Sequence, residues 1–217
     1  MAVHETGAAR SYGMISELYA DFAAGAFEAD PLGRSMIDVL AKSVAASGGG
    51  PVLDAGCGPG HVTAYLRGSG VEAFGVDLSE GLVELARTRH GGIRFEVGDI
   101  GALEVEGGSL AGVVSNYSII HSPPERLAVI MAEFARVLAP EGYLMVAFQS
   151  HEDPGAGVET FDHQVAMAYR YGVDHVLAEA AAVGLVEQAR LVMAPGLDAR
   201  RGFSQAHLLL RKAGASL

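Results

Sequence analysis

Apolar residues recur along this chain in two rhythms, helical spacing and short unbroken runs, and their alternation predicts a doubly wound α/β sheet. Ile15, Leu18 and Phe22 within residues 12–24, and Ile37, Leu40, Ala41 and Val44 within residues 32–46, share helical faces. Val52-Leu53-Asp54-Ala55 predicts a buried strand, and Val62, Tyr65 and Leu66 the helix after it. Ala73-Phe74-Gly75-Val76 predicts the second strand, and Leu82, Val83, Leu85 and Ala86 the next helix, with Ser79 as its N-cap. A third strand is expected over 93–97 and a central fourth over 111–121. Ser122-Pro123-Pro124-Glu125 has the form of a capping box, and Leu127, Ile130, Met131, Phe134, Val137 and Leu138 form the apolar stripe that follows. A fifth strand over 142–148, a helix over 173–183 ended by Gly184, and two strands over 185–193 and 206–211 complete the pattern. The closing pair fits an antiparallel end to the sheet. The expectation is one domain over 1–217, with 1–48 as cap helices and 150–172 as a flexible lid.

The chemistry concentrates where the first strand runs into alternating glycines. In Asp54-Ala55-Gly56-Cys57-Gly58-Pro59-Gly60 the chain turns sharply with no side chains in the way, so its backbone can approach a ligand closely. The second strand ends in Asp77, where a carboxylate could accept both hydroxyls of a ribose. Strand-end caps are the plainer reading of Asp54 and Asp77; the order strand, acid, GxGxG, strand, acid favours a nucleoside pocket. Dinucleotide enzymes use G-x-G-x-x-G, but the place of that third glycine is taken by His61. The spacing instead resembles motif I of the class I S-adenosylmethionine-dependent methyltransferases.

That resemblance extends over nearly the whole chain, through VLDAGCGPG, FGVDLSEGLVELAR, RFEVGDI, YSIIHSPPERL, EFARVLAPEGYLMVAF and AYRYGVDHVL. It implies a single Rossmann-like fold with a seven-stranded, mostly parallel sheet, an antiparallel terminal strand and S-adenosylmethionine as cofactor, released as S-adenosylhomocysteine. By resemblance Gly56, Cys57, Gly58 and Gly60 line the cofactor, and Asp77 and Leu78 hold ribose and adenine. Asp99 and Ile100 clasp the adenine edge, although Gly-Asp also makes an ordinary turn. Asn116, Tyr117 and Ser118 approach the methionyl part, while Tyr12 and Tyr19 either reach its carboxylate or pack as helix core. Asp54 suits an ammonium or sulfonium group, which a carboxylate attracts directly or through water, whereas it repels a phosphate.

Composition narrows the function. A chain of 217 residues with 50% hydrophobic content can bury a sizeable single core. A net charge of −11 with only 15 Lys and Arg weighs against a protein that grips nucleic-acid backbone, which favours a small-molecule acceptor. The N-terminus has no signal-peptide pattern and no apolar run is long enough to cross a bilayer, so a cytoplasmic monomer or homodimer without membrane attachment is expected. Cys57 is the single cysteine and cannot form an internal disulfide. Asp153, Asp162 and His163 lack a supporting ligand pattern, so no metal is expected.

Methyl transfer needs alignment, exclusion of water and, for some acceptors, a base. His121 follows the central strand and carries an imidazole, the group that titrates nearest neutral pH; it is either the base or a hydrogen-bonded loop histidine. His163 and Tyr169, in the lid with Phe161, are further catalytic candidates. Two other functions remain open: a cyclisation or other non-methylation reaction on the same fold, and a non-catalytic nucleoside-binding module.

Overall fold

A computed structural model describes residues 16–153, 155–163, 167–198 and 201–214. Helices α1 (Ser16–Glu28) and α2 (Pro31–Ala46) precede strand β1 (Val52–Ala55). Then come α3 (His61–Gly68), β2 (Ala73–Asp77), α4 (Glu80–Arg89), β3 (Phe95–Val97) and β4 (Leu110–Asn116). The second half holds α5 (Leu127–Val137), β5 (Leu138–Ser150), β6 (Val158–Asp162), β7 (Met167–Tyr171), α6 (Val173–Ala182), β8 (Leu185–Met193) and β9 (Ser204–Lys212). The helix starts follow local chemistry. Asp30 caps α2 by accepting from the Gly33 amide at 2.8 Å with Pro31 in the first turn, and Ser79 caps α4 by accepting from Leu82 N at 3.4 Å.

The sheet runs β3-β2-β1-β4-β5, all parallel, and continues through antiparallel β9 to β8. These are the seven strands read from the sequence. Two more, β6 and β7, form an antiparallel hairpin that joins the end of β5 at Ser150↔Tyr171, where β4 has already left the sheet. The stretch expected as a flexible lid over 150–172 is therefore largely hairpin, with Ala168, Tyr169 and Tyr171 buried.

Burial on both faces fixes the architecture. On one face α2 and α3 pack Met36, Ile37, Leu40, Val62 and Leu66 against Val114, Met145, Ala147 and Leu209. On the other, α5 and α6 pack Leu127, Ile130, Phe134, Val173 and Val176 against Leu53, Val113, Leu144 and Val146. The expected capping box at Ser122 is instead a 3-10 turn, Pro124–Arg126, with α5 starting at Leu127 and no side-chain cap. Among the described residues no helix is long and apolar enough to cross a membrane.

Candidate cofactor and acceptor site

The glycine turn between β1 and α3 has the conformation its composition requires. Gly56, Gly58 and Gly60 have φ of 78°, 52° and 85°, the left-handed region that side chains disfavour. The turn is tied to β2 by the Gly56 and Cys57 amides, which donate to the Val76 carbonyl at 2.8 and 3.0 Å. A side chain at Gly56 would collide with Ser118, so glycine here lets the two walls of a cleft come together.

Asp77 sits at the base of that cleft. Its Oδ2 accepts from Gly58 N and its Oδ1 from Ser79 N, each at 2.8 Å. Burial raises its pKa, and the bonds from Ser79 and Gly58 oppose that shift. Two clamped oxygens keep further lone pairs for ligand hydroxyls. Leu78 and Ile100 add apolar surface to the walls, and Tyr19, Asn116, Tyr117, Ser118 and His121 complete them. The empty space among these residues is about 770 Å³, counting the part open to solvent.

Asp99 also reaches the cleft, but its carboxylate is engaged. Arg126 Nη2 lies 2.9 Å from both oxygens and the Gly101 amide donates to Oδ1 at 2.8 Å. Contact with an adenine amino group must therefore share that carboxylate with Arg126. This buried arginine escaped the sequence reading because PPER looks like the first turn of a helix; arginine within an otherwise apolar start was the available signal.

Several expected residues lie off the cleft wall. Asp54 is 1% exposed behind the turn, where Thr63 Oγ1 donates to its Oδ2 at 2.6 Å. Burial raises its pKa to about 7 against the opposing Thr63 bond, with a smaller push from Asp77. Cys57 packs under the turn with Val83, Ala86 and Phe95, and Gly60 backs onto Phe95 and His90; both shape the turn from behind. Tyr169 is in the main core, packed near Tyr171, and does not face the cleft as the lid reading expected. Tyr12 lies outside the described residues.

The histidines divide by position. His121 is on the cleft wall, with Nδ1 3.5 Å from the Met167 carbonyl, and burial lowers its pKa to about 4. A carbonyl only accepts, so Nδ1 carries the proton in that contact and Nε2 the lone pair. His163 stands behind it, the ring centroids 5.0 Å apart and nearly perpendicular, and is not on the wall.

The turn also discriminates between ligands. Asp77 places a carboxyl group at the foot of the glycines, an unfavourable setting for a pyrophosphate and a suitable one for a nucleoside. Residues 52–142 match the family profile described as a methyltransferase domain. The methyltransferase GfsG of Streptomyces halstedii is 34% identical to this chain over 128 residues, 54% of this chain and 45% of that protein. The chain spans about half the length, or less, of the curated relatives it matches. Among solved structures, the 1,6-didemethyltoxoflavin-N1-methyltransferase of Burkholderia thailandensis superposes with a TM-score of 0.71 at 20% identity, covering 98% of this chain and 91% of that one. The [4+2]-cyclase SpnF superposes at 0.68 with 19% identity, covering 83% and 82%.

Proposed function

We propose that this protein is an S-adenosylmethionine-dependent methyltransferase that binds its cofactor in the cleft and methylates a small organic acceptor at oxygen or nitrogen, acting in the cytoplasm. The observation that carries the reading is Asp77, held by Gly58 and Ser79 at the foot of a left-handed glycine turn that opens onto the same cleft. Asp77 would accept the ribose hydroxyls, Leu78 and Ile100 would flank the base, and Asn116, Ser118 and Tyr19 would border the amino acid end. Asp54, behind the turn, acts on that end only through the residues in front of it. When bound, the cofactor supplies a methyl group already made electrophilic by its sulfonium sulfur.

The protein's own contribution is alignment and proton handling. His121 is neutral near pH 7 and its Nε2 lone pair suits it to take a proton from the acceptor. The β6–β7 hairpin would wall the acceptor side, with Phe161 braced edge-on against Phe203 at 5.3 Å. His163 lies near enough to His121 to set its orientation. The acidic chain, at −11, favours a small acceptor over nucleic acid. A cyclase with this fold shows that architecture does not choose the chemistry, so activity must be read directly. Incubation with methyl-labelled S-adenosylmethionine and either a small-molecule cell extract or total RNA separates the readings. Label in the small-molecule fraction supports this one; label in RNA, or none in either, contradicts it.

A further inference from the structure

Beside the cleft, four polar side chains gather at the carboxyl ends of β4 and β5 and the amino end of antiparallel β9, on the face that α2 covers. Gln149 pairs across the strands with Gln205 and Ala147 with His207, so alternation brings Gln149, Gln205 and His207 to one face as neighbours. Tyr117 joins them from the end of β4 with φ 57°, a conformation a bulky residue keeps only when its surroundings hold it. Its hydroxyl donates to Gln205 Oε1 and lies 3.3 Å from His207 Nε2.

Hydrogen-bond bookkeeping then fixes the histidine. The one phenol proton goes to Gln205, so Nε2–H of His207 donates to the phenol oxygen, and Nδ1 is left as a bare acceptor. Nδ1 of His207, in a side chain 1% exposed, has no hydrogen-bond partner among the described residues, and neither has Oε1 of Gln149, 8% exposed. Buried acceptors are seldom left unmet, and these two residues lie diagonally across the β5–β9 pair. The surrounding charge has the same bias. Asp30 acts on both Tyr117 and His207, and Asp198 acts on Tyr117. Arg201 donates to the His163 carbonyl and lies over the Phe161 ring. Tyr117 also borders the cleft, which places this cluster next to the nucleoside site.

We propose that Tyr117, Gln149 and His207 form the acceptor subsite, and that it selects a molecule presenting N–H or O–H donors over one presenting a carboxylate. Two orphaned acceptors in an acidic setting attract donors and repel an anion. This rests on the methyltransferase reading, and the test separates the two. Calorimetry with S-adenosylhomocysteine comes first: absence of binding to the wild type defeats the methyltransferase reading itself. On the protein saturated with that nucleoside, ligand-observed NMR then compares benzimidazole, a neutral N–H donor, with benzoate. The subsite predicts benzimidazole bound at least about tenfold more tightly, with the preference lost in both Gln149→Met and His207→Phe while S-adenosylhomocysteine affinity is retained. Gln149→Met should melt no lower than the wild type, because it removes an unsatisfied buried acceptor, whereas a merely structural glutamine would lower the melting temperature. In the wild type alone, the nitrogen-15 resonance of His207 Nδ1 should move from the bare-acceptor position toward the hydrogen-bonded one as benzimidazole is added. Equal or tighter binding of benzoate, binding of neither probe, or an unmoved Nδ1 resonance overturns the assignment.

Discussion

Asp77 shows what a single carboxylate does when two backbone amides hold it. Fixed by Gly58 N and Ser79 N, it would meet ribose hydroxyls, as proposed, without first losing its own conformational freedom. Asp77→Ala should therefore weaken S-adenosylhomocysteine binding by about 1 to 3 kcal/mol by calorimetry, and unchanged affinity would remove Asp77 from the site. Asp54 predicts a stability effect instead. Its folded pKa of about 7 lies above the unfolded value, so the folded state holds a proton that the unfolded state has released, and stability falls as pH rises from about 4 to about 7. Asp54→Asn, which can still accept from Thr63, should raise the melting temperature more at about pH 8 than at about pH 5. An equal change at both would mean that burial does not govern this acid. For His121 the sign is reversed, because burial favours the neutral ring. If it is the base, activity should rise as pH passes about 4 and stay level through neutrality, and His121→Ala should cost about two to four orders of magnitude in turnover. A rate that climbs instead across the ordinary imidazole range would contradict that placement. The spacing of Asp77 and the glycines made them legible in the sequence. Burial of Asp54, and the lowered pKa of His121 beneath the Met167 carbonyl, depend on contacts between distant segments that no local pattern encodes.

Among the elements, hydrophobic rhythm identified the alternating strands and helices well, because each core strand is a continuous apolar run and each covering helix has a buried stripe. The β6–β7 hairpin was not legible. Its strands are five residues each, and among the described residues the one strand pairing that ties it to β5 is Ser150↔Tyr171, so it resembles a loop with scattered aromatics. The consequence is a different expectation for its dynamics. With Ala168 and Tyr171 fully buried and the Tyr171 hydroxyl donating to the Ser122 carbonyl at 2.8 Å, β7 is anchored to the core. Hydrogen exchange without ligand should show the β7 amides protected and the outward strand β6 exchanging faster. Equally fast exchange in both would restore the flexible lid. Arg126 is another case of sequence failing for a physical reason. The helix start it occupies was visible, but its reach across to Asp99, 27 positions earlier in the chain, was not.

At the scale of the molecule, the parallel strands carry their glycine turn, Asp77, Asp99 and His121 to one end, where an open α/β sheet binds its ligands. Packing on both faces makes that edge rigid, since α2 and α3 cover one side and α5 and α6 the other. The net charge of −11 adds a field that disfavours polyanions and leaves small neutral or cationic molecules as better partners. The central claim is that the cleft takes a nucleoside with an amino acid tail and not a pyrophosphate. Calorimetric titration of the wild-type protein with S-adenosylhomocysteine and, separately, with NAD tests it most directly. Saturable binding of S-adenosylhomocysteine with no heat from NAD is the predicted result; tighter binding of NAD, or no binding of S-adenosylhomocysteine, would contradict it.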